Sequence, residues 1–429
     1  MKNSIKELKT FLILWSTQSL SQLGSAMTNF ALTLWLYQKT GSALQTALLA
    51  VCSYAPYVLV SIFAGALSDR WDKKRTMLAC DTFAAFCSAA VFVLLKTGTL
   101  QPVHMYILNA VNGLMNTLQQ PAGDVAMTLI TPKKHYQRTS GLRSFSNSLV
   151  TILNPVFATA LFAFAGLNAV IYVDLLTFAA AFLSLLFFVR IPAVSDGTVK
   201  KESFSGTVKA GLGYLKQNRM ILVLILFLAG VNLVASAFDA VLPAYVLPRE
   251  NGGERVLGIV TSCSGIATLA GSLVMIKLPA PKNRIRVIYG TMLISLSIEN
   301  FMLAFTKTPL LWCVAQVAGW LLVPVMSANL DVVLRTTIPV DMQGRVYSCR
   351  NSLQFFTIPV GFFIGGYLVD KFCEPVMASA LPGGLLQRCF GTGKGSGAAM
   401  MMFILGVMGV GVCLCFGGAL SRYTYMEEE

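Results

Sequence analysis

The stretch Gly65–Arg75 reads GALSDRWDKKR and places six charged side chains in eleven residues. Long apolar runs flank it on both sides. The chain has 429 residues, 55% hydrophobic and only 12% charged, against roughly 25% charged in an ordinary soluble domain. A globular core could not hide so much apolar surface, so part of the solvent must be lipid. Twelve apolar runs are expected to span, at about 10–37, 44–68, 76–97, 102–131, 139–165, 168–189, 220–247, 256–278, 286–306, 309–338, 346–370 and 398–420. Lipid leaves backbone polar groups no water to bond. Runs this long are therefore read as helices rather than the short alternating strands of a barrel. The expected fold is an all-α membrane protein of twelve transmembrane helices.

A formal charge of +14 raises the question of nucleic acid, and the placement of the charges argues against it. If the N-terminus is cytoplasmic, 25 of the 33 Lys and Arg residues fall in segments facing inward. That positive-inside bias predicts a multi-pass protein of the cell (plasma or inner) membrane with both termini cytoplasmic. The opening stretch is then the inner turn between spans two and three. Lys2, Lys6 and Lys9 precede an apolar run too long for a signal peptide, so a retained first span is expected. The ten cysteines show no metal spacing, and no metal site is expected. Two of them, Cys373 and Cys389, fall in the long outer loop 371–397, where an oxidising exterior would permit a disulfide. Residues 190–219 form the one long polar interior stretch, dividing the chain into 1–190, a cytoplasmic linker at 191–218, and 219–429.

An internal repeat supports two halves. DVAMTLITPKKHYQRTSGLR begins at Asp124 and DVVLRTTIPVDMQGRVYSCR at Asp331. Asp124/Asp331, Pro132/Pro339, Arg138/Arg345 and Arg143/Arg350 all match at an offset of 207. Each copy sits between spans four and five or ten and eleven, as expected for parallel halves related by an axis along the membrane normal.

With the repeat in view, GALSDRWDKKR resembles the loop between helices two and three of the major facilitator superfamily, roughly G-x-L-x-D-R-x-G-R-K-x. Gly65, Leu67, Asp69, Arg70, Lys73 and Lys74 match, and Asp72 stands where the family has its second glycine. More narrowly, DRWDKKR, VDLLTFAAAF in span six and PVDMQGRVYSCRNSLQFF resemble the macrolide-efflux-like branch of the drug–proton antiporters. That group's helix-five signature G-P-x-x-G-G is replaced here by LNPVFATAL, keeping Pro155, while IPVGFFIGG in span eleven echoes it. The resemblance implies two pseudo-symmetric six-helix bundles, and a cytoplasmic latch built on this loop. It also implies a central cavity lined by helices one, four, seven and ten.

Gly65, Asp69, Arg70, Lys73, Lys74 and Arg75, with Asp81, Arg138, Arg143, Arg335, Arg345 and Arg350, are the candidate latch. The bland reading is an orientation signal with static ion pairs. Arg335 follows Asp331 by one helical turn, a favourable spacing for a pair. Asp124 lies about 12 Å along a helix from Pro132. Asp239, inside NLVASAFDAVLPAYV, is the sharpest proton-coupling candidate, because an intramembrane acid is costly and usually functional. Asp124 and Asp331 are the others. Asp174 and Glu299 are expected to make structural hydrogen bonds in peripheral spans. Cavity candidates are Asn29, Trp35, Asn112, Asn116, Gln119, Gln120, Asn232, Trp320 and Asn329, amides and aromatics suited to an amphipathic small molecule.

These features predict a secondary-active transporter, with proton-coupled efflux of hydrophobic or amphipathic compounds (macrolide-like drugs) by alternating access as the leading reading. Lipid or lysolipid movement and proton-symport uptake of a nutrient stay open, as does a sensor or assembly role. The expected partners are a small amphipathic molecule and membrane lipid; the protein is expected to be a monomer, and neither a cofactor beyond the proton gradient nor nucleic acid is expected. An enzyme is not expected: there are two histidines, His104 and His135, and neither a nucleophile–base motif nor a phosphate-binding loop.

Overall fold

A computed structural model describes residues 7–132, 135–192, 204–277, 279 and 281–424. Side chains are described at these positions except 62–70, 137–138, 204–209, 276–277, 340–341, 344, 348 and 422–424. The structure is 87% helical, without strands among the described residues. In chain order the helices are α1 (Lys9–Thr40), α2 (Ala43–Arg70), α3 (Lys73–Lys96), α4 (Pro102–Ile130), α5 (Tyr136–Phe187), α6 (Phe204–Gln217), α7 (Arg219–Val246), α8 (Glu254–Lys277), α9 (Arg284–Phe305), α10 (Pro309–Trp320), α11 (Val323–Thr337), α12 (Val340–Phe355), α13 (Thr357–Leu368), α14 (Glu374–Ala378), α15 (Leu385–Phe390) and α16 (Ser396–Thr424).

Nine segments among the described residues are long and apolar enough to cross a bilayer, rather than the twelve expected from the sequence. The difference has identifiable sources. Residues Thr139–Phe187 count as one segment, although α5 is broken at Gly166 (φ 71°, ψ −177°), between the two runs expected there. Helices α1 and α4, of 32 and 29 residues, are long enough but carry polar runs such as STQSLSQ and NTLQQ. Two expected spans are also divided. The tenth breaks at Leu321–Leu322 into α10 and α11, where Pro324 has no N–H to return to the carbonyl one turn back. The eleventh breaks at Phe356 into α12 and α13.

The outer loop 371–397 is largely helical: a π-helical turn, Val369–Cys373, leads into α14, and α15 follows. Cys373 and Cys389 are free thiols. Cys373 is buried and Cys389 exposed, so the structure does not contain the disulfide permitted by the sequence.

Many hydroxyls inside the apolar helices donate to their own backbone. Thr17 donates to the Ile13 carbonyl (2.8 Å), Thr82 to Leu78 (2.7 Å) and Thr291 to Val287 (2.7 Å), a local solution that satisfies these donors within the helix.

The chain divides into two compact units, Met1–Lys39 with Cys52–Val199, and Thr40–Val51 with Lys200–Glu429. In the first, Leu14, Met77, Ala122, Ala126, Leu185 and Val189 converge from α1, α3, α4 and the end of α5 into one apolar cluster. The acid Asp174, 3% exposed, accepts from Ser25 (2.9 Å) and Ser88 (2.8 Å), tying α1 and α3 to α5.

In the second unit α7 is the centre, packed by α13, α16 and α12. Glycines allow the close approach: Gly365 lies on Ala237, and Gly361 on Leu233 and Ser236. This unit also takes the first turns of α2. Asp370 accepts from the Ser42 hydroxyl (2.5 Å) and from the Ala43 (3.0 Å) and Leu44 (2.9 Å) amides. A carboxylate from another helix thus satisfies that helix's first donors.

Gly365→Ala would place a methyl 2.6 Å from the Ala237 carbonyl. It should destabilise the protein by about 1–3 kcal/mol, seen as a lowered unfolding midpoint of detergent-purified protein. Gly411→Ala, with open space around it, should leave the midpoint unchanged or raise it.

Candidate functional site

The charges of the opening stretch have definite local uses. Asp72 is the N-cap of α3 (φ −62°, ψ 120°), its Oδ1 accepting from the Arg75 amide at 2.8 Å. The residue replacing the family's glycine therefore starts a helix. Lys74 donates through Nζ to the carbonyls of Leu186 (2.9 Å) and Val189 (2.7 Å), placing a cation on the C-terminal end of α5. Lys73 is buried and donates to the Trp71 carbonyl (3.1 Å), whereas Arg75 is exposed. Asp81, 6% exposed, accepts from Gln119 (2.6 Å) and Gln18 (3.2 Å), so two amides rather than Arg75 hold it. The side chains of Gly65, Asp69, Arg70 and Arg138 lie outside the described residues.

The repeated acids are both paired, but differently. Asp124 takes Arg143 across from α4 to α5. Asp331 takes Arg335, one turn along α11, at 2.8 Å. Position 335 corresponds to Thr128 in the first copy, so only the second has a cation within reach along its own helix. Arg350, the counterpart of Arg143, donates to Gln354 (2.9 Å), with Asp331 close enough to act on it electrostatically. Arg345 contacts the Met342 sulfur at 3.7 Å. Both ion pairs are about half exposed, so each is worth only about 0–1 kcal/mol and costs little to open.

A cavity of about 450 Å³ in the second unit brings Asn232, Asp331 and Arg350 together with Ser327 and Gln354, against Leu228, Val231, Met326 and Leu330. Its size admits a small organic ligand, and its wall is as polar as it is apolar, which suits an amphipathic one. Asn232 donates to the Gln354 carbonyl (3.1 Å). Gln354 was not singled out from the sequence, although its four-residue spacing from Arg350 is a usable signal.

The other amide and aromatic candidates are scattered. Asn329 is buried and bonded to Arg284 (3.0 Å) and the Val325 carbonyl (2.8 Å), while Gln119 is held by Asp81. Trp35 lies under the Lys39 ammonium at 4.6 Å. Asn29 and Asn112 are half-buried, Asn116 and Gln120 exposed. Trp320 stands beside Glu299. The two histidines bond locally: His104 Nδ1 accepts from the Gln101 amide (3.2 Å) at the start of α4, and His135 pairs with Glu7 (2.9 Å).

Asp239 lacks the partners that Asp81, Asp124 and Asp174 have. It sits on α7, the most buried of the long apolar helices, between buried Phe238 and Ala240. Its own side chain is exposed although it lies deep in the mass of the protein. That combination fits a group on a cavity wall. No hydrogen bond or ion pair reaches it among the described residues. Six residues on, Tyr245 fastens this end of α7, its hydroxyl bridging the carbonyls of Leu303 (2.5 Å) and Thr306 (2.8 Å). Arg249 stacks on the Tyr245 ring at 4.2 Å and donates to the Phe390 and Gly395 carbonyls (both 3.3 Å). Burial lowers the guanidinium's pKa, with Tyr245 and Glu374 partly offsetting it.

Helices long and apolar enough to cross a bilayer make up both units, as in a multi-pass membrane protein. The chain belongs to the Major Facilitator Superfamily, whose family model matches residues 14–362. It is 24% identical over 365 residues to macrolide efflux protein A of Streptococcus pyogenes, covering 84% of this chain and 89% of that protein. It is likewise 24% identical over 357 residues to the multidrug efflux pump Tap of Mycolicibacterium fortuitum, covering 81% and 86%. Among solved structures it is similar to a point mutant of the nucleoside transporter NupG, with a TM-score of 0.69 at 15% identity, covering 96% of this chain and 99% of that one.

Asp72→Ala should cost about 1 kcal/mol of stability through the lost cap, read as a lower unfolding midpoint. A double-mutant cycle on Asp124→Asn and Arg143→Gln should give a coupling of no more than about 1 kcal/mol.

Proposed function

We propose that the protein is a secondary-active exporter that moves hydrophobic or amphipathic small molecules, macrolide-like compounds among them, out of the cell in exchange for protons, by alternating access. Asp239 is the observation that carries this reading. It is an acid without a cation, reachable by solvent, on the most buried of the apolar helices. Proton uptake neutralises a carboxylate in such a place, and substrate or gradient can then decide when the proton leaves. The efflux proteins it resembles supply the direction and the substrate class. The weak pairs Asp124–Arg143 and Asp331–Arg335 serve as parts of the cytoplasmic gate, opening and closing at small cost. The cavity beside Asn232 and Arg350 receives the substrate. The proposed setting is the cell membrane, with both termini cytoplasmic.

The test is flux in proteoliposomes under an imposed pH gradient, with erythromycin, ethidium and lysophosphatidylcholine as probes. Gradient-driven movement of erythromycin or ethidium is expected in the wild type, reduced more than about ten-fold in Asp239→Asn. Gradient-driven movement of lysophosphatidylcholine alone would replace the drug reading with the lipid one. No gradient response for any probe would sink proton coupling.

A further inference from the structure

Glu299 breaks the pattern set by the other intramembrane acids. Asp81 and Asp174 each have two donors, and Asp124 has an arginine. Glu299, on α9, is 5% exposed, and its Oε1 has no hydrogen-bond partner among the described residues. Its neighbouring donor is the Trp320 indole. The backbone of α10 is pressed against the carboxyl at Gly319, where any Cβ would overlap it. One turn earlier on α10, Gln316 is 1% exposed and its Nε2 also lacks an acceptor. A buried acceptor without a donor and a buried donor without an acceptor thus occur one helical turn apart. Leaving either bare carries the full desolvation penalty of that group, so the arrangement is not what a static structural bond would select.

The charged group acting on Glu299 is Asp239, another acid. The depths agree: Asp239 is about 9 Å along α7 from Tyr245, and Glu299 about 6 Å along α9 from Leu303, the residue Tyr245 bonds. Among the described side chains, the elements packed on α9 bring no cation that acts on Glu299. Helix α10 carries the thiol Cys313, and α16 carries Cys413 and Cys415, with Arg422 and Tyr423 at its C-terminal end; α9 itself carries Arg284, Arg286 and Tyr289 at its opposite end. Helix α11 carries Asp331 and Arg335, paired with each other, and α15 carries Arg388 and Cys389, with Arg388 donating to the Gly383 carbonyl. Glu299, buried and without a cation, does not recover the hydration that a charged carboxylate loses there, and the neighbouring acid Asp239 adds to that cost.

We infer that Glu299 is a second proton-carrying carboxyl of the transport cycle, exchanging its proton through the exposed Asp239. This rests on the proton-coupled reading above. On loading, one proton joins a carboxylate oxygen and the pair passes from one negative charge to none; on release the O–H bond breaks and the charge returns. No other bond changes. Glu299 stores the proton out of reach of water, and Gln316 is the donor available to its carboxylate once the proton has left.

Two measurements on the full-length reconstituted protein decide it. Infrared spectra recorded across pH should show a protonated-carboxyl C=O band at neutral pH that Glu299→Gln removes and Glu299→Asp restores. Asp239→Asn should change the pH at which the band disappears. Under a pH gradient, Glu299→Gln should lose ethidium efflux by more than about ten-fold. If wild type and Glu299→Gln have the same carboxyl spectrum, or Glu299→Gln keeps gradient-driven efflux, the inference is overturned. If Glu299→Gln does not fold, the wild-type band and its response to Asp239→Asn decide. A wild type without gradient-driven flux would remove the exporter reading, while the spectra would still decide whether Glu299 holds a proton.

Discussion

Inside a bilayer no water stands ready to satisfy a polar group, and every donor and acceptor must find its partner in protein. This constraint explains the helices and also most of the polar side chains within them. Threonines return to their own backbone, Asp174 gathers two serines, and Asp81 gathers two glutamines. The same requirement makes the exceptions informative. Among the described acids of the apolar helices, Asp239 has no partner, and Glu299 has the Trp320 indole on its carboxyl while its Oε1 has none. An unpaired acid in such surroundings is costly to keep, which makes a working role the better account of it.

The opening stretch shows how one charge cluster can serve several purposes. In the proposed orientation its basic residues lie on the cytoplasmic side, in line with the positive-inside bias. Lys74 also closes the carbonyl end of α5, and Asp72 opens α3. A glycine at position 72 would provide a flexible corner; an aspartate supplies a helix start. These bonds are local to the first unit and need no change in conformation to be useful, so the loop is a structural joint whatever part it plays in gating.

The helical class was legible in hydrophobic run lengths, and the break at Gly166 fell where those runs were interrupted. The breaks at Leu321–Leu322 and Phe356 were not legible, because hydropathy stays high across them and only Pro324 or Pro359 marks the site. The repeat located Asp124 and Asp331 on the sequence but not their different partners. Those depend on a single residue, Arg335 against Thr128, lying outside the matched positions. Asp239 stood out as an acid in an apolar run. Glu299 did so equally, but its span was read as peripheral, and the sequence alone carries nothing about whether Trp320, Gln316 or Gly319 lies beside it. Pairing is a three-dimensional property, and for acids in lipid it is the property that matters.

Gly166 has a consequence of another kind. Its backbone lies in a region closed to most side chains (φ 71°), yet a Cβ built there would meet nothing within 4 Å, and Phe164 beside it is 90% exposed. The break in α5 is therefore carried by the backbone of a residue whose Cβ position meets no neighbour. Lengthening a flexible turn costs little, since closure entropy grows only with the logarithm of loop length. The chain accordingly has a natural port at this point, where an epitope, a fluorophore or a small folded tag can be spliced in without disturbing the packing on either side.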